Sequence, residues 1–336
     1  MSATTAPRVI RSLPHAVLQA LAPAAMSTDV LIHDLRCDAD ALQAVLADLV
    51  AAAAVTPVSD RPGVWQRQPQ HEWLQPQDIL SMLGGAAQAQ LQQLQLAWQL
   101  ASTNAELLRQ RAPATGTAVL LAEGQSQGRG RRGRQWASPL GMNLYLSVLR
   151  RFQGPPARLA GIALVSGVAL VQALQRLGVA SAQLKWPNDV LVDGRKLAGV
   201  LVESAGSVDA GGLPLVIGIG INVCMPADAA AAIGQPWIDL RSVLGDAASR
   251  NRTAGVVLDA LLPALALFDT AGLDPFREAY GQYDALHGRR VRVQSGTGAR
   301  QDGIAMGIDR DGALLLADAQ GRQWPVHAGE VSVRPA

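Results

Sequence analysis

The spacing of hydrophobic and polar positions changes twice along the chain and divides it into three regions. In the first region, apolar side chains recur at every third and fourth position in three segments, which predicts amphipathic helices. These segments are 13–21, 28–35 and 38–54. Asp38 or Asp40 is expected to cap the third helix, and residues 55–68 follow as two short strands around a Pro-Gly turn. Three helices and a hairpin are typical of the winged helix-turn-helix plan.

The middle region alternates strand and helix patterns, which predicts an α/β or α+β domain. Seven segments are predicted as strands: 94–98, 117–123, 143–149, 183–186, 189–192, 196–203 and 214–221. The apolar run 159–175 is shorter than the ~20 residues of a membrane span and contains polar side chains, which favours a core helix.

The third region, from about residue 288, has short alternating strands typical of a small SH3-like β-barrel. Turns are predicted at Asp302-Gly303, Asp311-Gly312 and Gln320-Gly321. We therefore divide the chain into an N-terminal winged helix-like domain (1–70), a middle α/β or α+β domain (71–285) and a C-terminal domain (286–336).

Composition narrows the class of protein. The chain has 336 residues and a net charge of only +2, so any basic cluster is a local feature. Cys37 and Cys224 stand far apart, without the spacing of a metal site, which favours a reducing compartment. Residues 1–21 lack the basic start and apolar block of a signal peptide, so we expect a cytoplasmic protein that does not enter a membrane.

The segment EGQSQGRGRRGRQWASP (123–139) places four arginines in positions 129–134 and contains the spacing G-x-G-x-x-G. A dinucleotide fingerprint is excluded because Pro139 and Gly141 follow where a helix should begin. A nucleic-acid patch and a solvated basic turn stay open. We favour a loop that closes over an anionic substrate, since guanidinium groups bind carboxylates and phosphates and glycine gives the loop its freedom.

Two further segments carry candidate chemistry. Lys185 and Lys196 flank a Pro-Asn-Asp turn, and Asp189 in that turn has the oxygen ligands that Mg²⁺ prefers. In GIGINV (218–223) the glycines allow a ligand to approach the backbone. Ser102-Thr103-Asn104 precedes a helical segment, and an ordinary helix cap is its simplest interpretation.

Taken together, these segments resemble the bacterial biotin protein ligases. GRGRRGRQW (128–136), KWPNDV (185–190), GRKLAGVLVE (194–203) and GIGIN (218–222) occur in that family's order, and the resemblance runs from about residue 72 to 334. The N-terminal pattern is similar to the bifunctional ligase/repressor type. The resemblance implies a biotin/lipoate ligase-like catalytic fold and formation of biotinyl-5′-AMP from biotin and ATP. It also implies transfer of biotin to a lysine of the biotin carboxyl carrier protein of acetyl-CoA carboxylase.

The resemblance also implies roles for individual residues. The catalytic residues would be Arg129, Arg131, Lys185, Asp189 and Lys196. Biotin would be bound by Ser102, Thr103, Asn104, Gln125, Arg129, Gly130, Arg131 and Lys196. ATP and the adenylate would be bound by Arg131, Trp136, Asn222, Trp237 and Arg334. Asp189 would hold Mg²⁺, and 227–237 would form an adenylate loop.

Other functions remain as alternatives to the ligase. One is a lipoate ligase or transferase of the same fold, although it would not be expected to combine the arginine loop with KWPND and RKLAG. Others are a regulator that binds biotinyl-AMP only as an effector, and an RNA-binding module. A homodimer is also implied by the resemblance. The third N-terminal helix contains three Asp and neither Lys nor Arg, so the residues argue against repression through DNA binding.

Overall fold

In the part of the chain that the structure describes, the strands form three β-sheets, of three, eight and five strands. The computed structural model describes residues 6–68, 72–154, 159, 161–208, 212–231, 233–295, 300–328 and 331–335. The predicted boundary at residue 70 lies outside the described residues, and the division into three domains stays a prediction.

A small helical unit near the N-terminus contains the three-stranded sheet. The first elements of the chain are β1 (Arg8–Arg11), α1 (Leu13–Ala20), β2 (Met26–Ser27), α2 (Thr28–Leu35), α3 (Ala39–Ala51), β3 (Val55–Pro57) and β4 (Val64–Arg67). The predicted helices and hairpin are confirmed. Asp38 caps α3, because its Oδ1 accepts from the backbone N–H groups of Asp40 (2.8 Å) and Ala41 (3.2 Å). Gly63 closes the hairpin turn with φ of 75°.

The eight-stranded sheet contains all seven strands predicted for the middle region. They are β5 (Leu91–Leu100), β6 (Thr117–Gln125), β7 (Leu144–Phe152), β8 (Ala182–Lys185), β9 (Asp189–Val192), β10 (Arg195–Ser204) and β11 (Leu213–Ile221). The order is β1-β5-β6-β7-β11-β10-β9-β8. The eighth strand is β1, which pairs in parallel with β5. Residues 8–11 therefore hydrogen-bond into the large sheet, although they lie within the segment assigned to the N-terminal domain.

Helices surround the large sheet. In chain order they are α4 (Pro76–Ser81), α5 (Gly85–Gln90), α6 (Thr103–Leu108), α7 (Ile162–Arg176), α8 (Ala227–Ala230), α9 (Leu240–Leu244), α10 (Arg250–Ala271) and α11 (Asp274–Tyr283). The predicted core helix is α7, which packs against α10 in the main core. By length and composition α10 could cross a membrane, but Val257, Leu261 and Leu265 are fully buried in that core. We therefore assign it as a core helix.

The five-stranded antiparallel sheet forms the C-terminal unit. It contains β12 (Arg290–Ser295), β13 (Arg300–Ile308), β14 (Leu314–Ala317), β15 (Gln323–Val326) and β16 (Val331–Pro335), in the order β15-β14-β13-β12-β16. The turns at Gly312 and Gly321 are confirmed, with φ of 85° and 78°. The turn predicted at Asp302-Gly303 is wrong, because both residues lie inside β13. There the missing side chain of Gly303 makes room for Trp324 and Leu316.

A buried polar junction joins the helical unit to the large sheet. Glu123, near the end of β6, is fully buried and accepts hydrogen bonds from His15 Nε2 (3.0 Å) and from the backbone N–H of Leu74 (2.7 Å). Its other carboxylate oxygen accepts from Arg250 of α10 at 2.6 Å. One carboxylate thus connects α1, the segment before α4, the large sheet and α10. Because Gln125 follows two residues later, the junction also supports the end of β6, where Gln125 lies.

Candidate active site

One large cavity of about 1320 Å³ lies between the large sheet, the arginine loop and the C-terminal unit. Its volume exceeds the roughly 300–1,000 Å³ of a typical small-molecule pocket, which leaves room for two substrates. The predicted site residues that line it are Ser102, Thr103, Asn104, Gln125, Arg129, Gly130, Arg131, Trp136, Lys185, Asp189, Lys196, Asn222 and Trp237. The sequence motifs, which lie up to 135 positions apart, therefore share one cavity.

Uncharged polar side chains form one end of this cavity. Ser102 caps α6, with its Oγ accepting from the backbone N–H of Ala105 at 3.4 Å. Gln125 Oε1 accepts from the backbone N–H of Thr103 (2.8 Å) and from its hydroxyl (3.1 Å). Ser147 Oγ of β7 lies 2.7 Å from Thr103 Oγ1 and 2.6 Å from Asn104 Oδ1. The cap is thus also one wall of a polar pocket, and Ser147, which is buried outside the cavity lining, supports that wall and was missed by the sequence analysis.

The arginine loop crosses the cavity as an ordered turn. Gly130 N–H donates to the carbonyl of Arg134 at 2.7 Å, and Trp136 N–H donates to that of Gly128 at 2.9 Å. Between them Arg132 and Gly133 adopt left-handed φ angles of 60° and 69°. The loop leads into β7 without an intervening α-helix, as the rejection of a dinucleotide fingerprint required.

The two predicted catalytic arginines of the loop have different partners. Arg129 forms an ion pair with Glu203 at 3.0 Å, whereas Arg131 donates to Asn188 Oδ1 at 3.0 Å. Burial lowers the pKa of the Arg131 guanidinium, and Arg132 adds to this effect while the charge of Asp189 opposes it. A guanidinium has so high an initial pKa that Arg131 stays charged at neutral pH.

A second group of charges lies at the turn between β8 and β9. Lys196 Nζ is 2.7 Å from Asp189 Oδ1, and both side chains are less than a fifth exposed. The same ammonium lies 5.4 Å from the ring centre of Trp136. Gly199 makes this close approach possible, because a Cβ there would lie 3.3 Å from Lys196 Cε and from the Trp136 ring. Lys185 lines the cavity beside this pair.

Trp136 and Trp237 form another wall of the cavity. A Cβ on Gly220 would overlap Trp136, with Cζ2 and Nε1 both only 2.6 Å away. The backbone of Lys196 holds the Trp237 segment through hydrogen bonds with Pro236 and Ile238, both at 3.0 Å. Asn222 is buried and donates to the carbonyls of Ile238 (3.1 Å) and Lys196 (3.3 Å). Its amide therefore fastens the segment that carries Trp237.

The C-terminal unit reaches the cavity through Arg289 and Val333. The predicted contact Arg334 lies on β16 with its backbone paired to Arg292, and its side chain lies outside the described part of the chain. Arg289 was missed because nothing in the sequence distinguishes it from Arg290 beside it. A hydrogen bond of 3.0 Å from Trp186 Nε1 to the carbonyl of Gly312 fixes the unit against the turn between β8 and β9.

Comparison with known proteins identifies the family. The model of the biotin/lipoate A/B protein ligase family matches residues 96–222, and that of the biotin protein ligase C-terminal domain matches residues 286–334. The chain is 38% identical over 264 residues to the bifunctional ligase/repressor BirA of Escherichia coli (strain K12), covering 78% of this chain and 79% of that protein. The chain belongs to the biotin protein ligase family.

Two other similarities agree with this identification of a biotin protein ligase. The biotin--[acetyl-CoA-carboxylase] ligase of Paracoccus denitrificans is 39% identical over 230 residues, which cover 66% of this chain and 93% of that protein. The structure of a biotin protein ligase from Aquifex aeolicus in complex with biotin and ATP superimposes with a TM-score of 0.61 at 28% identity. It covers 72% of this chain and 99% of that one. The predicted catalytic fold is confirmed.

Proposed function

We propose that this protein is an ATP-dependent biotin ligase. It first forms biotinyl-5′-AMP and then transfers the biotinyl group to a lysine of the biotin carboxyl carrier protein of acetyl-CoA carboxylase. The observation that carries this proposal is the meeting of Arg131, Lys185 and Lys196, from separate segments, at one cavity with room for two substrates. The family of the chain and the names of its relatives support the choice of biotin and ATP.

The first step joins two anions, so the site must cancel their charge and align them. An oxygen of the biotin carboxylate attacks the α-phosphorus of ATP, the bond to the bridging oxygen breaks, and pyrophosphate leaves. Lys196 serves the meeting point of carboxylate and α-phosphate, and Arg131 covers it from the loop. Lys185 serves the outer phosphates. These groups are held in position before the substrates arrive, which reduces the cost of reorganisation.

The second step needs an open path for a protein lysine. Its amine attacks the acyl carbon of biotinyl-5′-AMP, an amide forms, AMP leaves with the electrons of the broken carbon–oxygen bond, and the amine loses a proton. The same cations that assist the first step stabilise the departing AMP. Ser102, Thr103, Asn104 and Gln125, together with the backbone of Gly130, hold biotin at the uncharged end of the cavity.

Asp189 fits a magnesium ion that arrives on the phosphates of ATP. Mg²⁺ in nucleotide sites is held by one or two carboxylates together with substrate phosphates. Among the described residues there is no cluster of three or more candidate metal ligands, which disfavours a separate protein-only metal site. The ion would screen the negative charge of the phosphates, and Asp189 would then serve both the ion and Lys196, whose Nζ lies 2.7 Å from its Oδ1.

Gly220→Ala is expected to raise KM for ATP by about tenfold or more, because the new Cβ displaces Trp136 from the wall of the nucleotide site. Initial rates of pyrophosphate release at varied ATP concentration measure this effect. Gly281→Ala is the matched control, since a Cβ at that helical position meets nothing within 4 Å. Equal KM values for the two variants would contradict the assignment of Trp136 to the nucleotide.

Pyrophosphate release also tests the proposed function and its nearest rival. With ATP present, release should begin on addition of biotin and should remain at background with lipoate. Release with lipoate but not with biotin would make the protein a lipoate ligase. If neither biotin nor lipoate caused pyrophosphate release, a regulator that binds biotinyl-AMP only as an effector would be favoured. If the protein instead bound RNA with an affinity that falls as salt rises, the RNA-binding alternative would be favoured.

The finer features of the flanking units are also proposals. We propose that the N-terminal unit is a winged helix-turn-helix with weak or lost DNA binding and that the C-terminal sheet is an SH3-like barrel. In support, Asp40 and Asp48 are exposed on α3, which carries no basic side chain to neutralise phosphates. A gel shift with a biotin-operon fragment, with and without biotinyl-AMP, should show no specific complex. A specific complex would establish the repressor. The homodimer and the cytoplasmic location stay predictions.

A further inference from the structure

Glu203 contacts two of the proposed biotin-binding residues, although no role was assigned to it. It lies on β10, opposite Val216 of β11, with its side chain one quarter exposed. Its Oε2 accepts a hydrogen bond of 2.7 Å from Asn104 Nδ2 and one of 3.0 Å from Arg129. One carboxylate oxygen thus joins the first turn of α6 to the arginine loop.

The Asn104 contact fixes which way that side-chain amide faces. Its Nδ2 donates to Glu203 and also to the carbonyl of Leu201 at 3.3 Å. Its Oδ1 lies 2.6 Å from Ser147 Oγ. The amide packs closely over Gly218 of β11, where a Cβ would overlap Asn104 Oδ1. A carboxylate accepts and never donates, so ionised Glu203 allows only the orientation with Nδ2 toward it.

The Arg129 contact has a different consequence, because it gives the two arginines of the loop different partners. The charge of Arg129 is balanced by Glu203 at the polar end of the cavity, whereas Arg131 lies at the charged end beside Asn188 and Asp189. Arg129 therefore ties the loop to β10, whereas Arg131 contacts the turn between β8 and β9.

We propose that Glu203 is a positioning residue for biotin: it orients Asn104 and holds the arginine loop over the polar pocket through Arg129. This inference rests on the proposed ligase function. It assigns no chemistry to Glu203, which acts only through the two side chains that it contacts. Loss of the contact should weaken the hold on biotin and on biotinyl-AMP more than it slows the chemical step.

The variant Glu203→Gln tests this positioning role while keeping a side chain of nearly the same size and shape. Its amide oxygen can still accept from Asn104, while the charge that holds Arg129 is gone. We expect KM for biotin to rise by about tenfold, the scale of one charge-assisted hydrogen bond, with kcat changed by less than about twofold. Release of preformed biotinyl-AMP in a chase experiment should accelerate in parallel. The matched control is Glu106→Gln on α6, which removes an exposed carboxylate paired with Arg109 at 3.5 Å.

Two further measurements decide the inference. In an Arg129→Ala background, Glu203→Gln should have little additional effect, because its partner is already absent. Without substrates, trypsin should cut the arginine loop faster in Glu203→Gln than in wild type. An undiminished effect in the Arg129→Ala background, or behaviour equal to Glu106→Gln, would overturn the inference. The proposed function itself fails only if the wild-type protein shows no biotin-dependent pyrophosphate release.

Discussion

Replacing Lys196 with alanine is expected to slow biotinyl-AMP formation by about 10²–10³-fold, the loss typical when a group that stabilises developing charge is removed. The ammonium of Lys196 lies 2.7 Å from Asp189 and 5.4 Å from the ring centre of Trp136, and all three side chains line the cavity. Its removal also leaves the Asp189 carboxylate without its partner. The repulsion between biotin and ATP then rises at the point where their bond must form.

The measurement is single-turnover formation of biotinyl-AMP, which separates chemistry from release. Lys196→Arg keeps the positive charge but changes its shape and reach, so it should recover only part of the rate. The control is the neighbouring Arg195→Ala, because Arg195 is about half exposed and faces Asp193 at 3.8 Å. It should behave as wild type. A rate for Lys196→Ala equal to that of the control would remove Lys196 from the reaction.

Glu123→Ala is expected to lower the free energy of unfolding by about 3–5 kcal/mol, the cost of breaking a buried ion pair from one side. Glu123 is fully buried, and its loss removes the carboxylate partner of both the Arg250 guanidinium and the His15 ring. It also removes one of the contacts that join α1 to the large sheet. Urea unfolding at neutral pH measures the change, and the exposed Glu106→Ala should cost at most about 1 kcal/mol.

The same carboxylate makes stability depend on pH. Burial alone would raise the pKa of Glu123, but the charge of Arg250, with the hydrogen bonds from His15 and Leu74, lowers it to about 2 from 4.5. A carboxylate with a lowered pKa contributes stability above its unfolded pKa and loses it as pH falls toward the folded value. The stability gap between wild type and Glu123→Ala should therefore narrow from about pH 4.5 toward pH 2. A constant gap across that range would contradict the role of the ionised carboxylate.

Local pattern was sufficient to predict most elements of the fold. The strands of the middle region are short, mainly apolar or alternating segments bounded by turns, so their existence could be recognised without tertiary information. β1 was missed because its four residues are mostly exposed and gain their partner from β5, more than 80 positions later. The turn predicted at Asp302-Gly303 failed for a related reason. A glycine that makes room for Trp324 cannot be told from a turn glycine in the sequence.

The residues of the site show the same difference between local motifs and single residues that contact each other across the fold. The arginine loop and the two lysine segments are dense local motifs, and the fold brings them to one cavity. Ser147 and Arg289 are single ordinary residues whose relevance depends on contacts across the fold, so no local signal distinguished them. Glu203 ends the GRKLAGVLVE segment, but its contacts with Asn104 and Arg129 could not be recognised from that segment alone. The same holds for Glu123, whose partners His15 and Arg250 lie 108 and 127 positions away.

The most direct test of the central claim is the intact mass of a biotin carboxyl carrier domain incubated with this protein, biotin and ATP. The account predicts the addition of one biotinyl group at a single lysine, which requires both biotin and ATP. It further predicts no modification when that lysine is replaced by arginine, or when an analogue that cannot be cleaved between its α- and β-phosphates replaces ATP. A carrier that keeps its original mass in the complete reaction with folded wild-type protein would contradict the account.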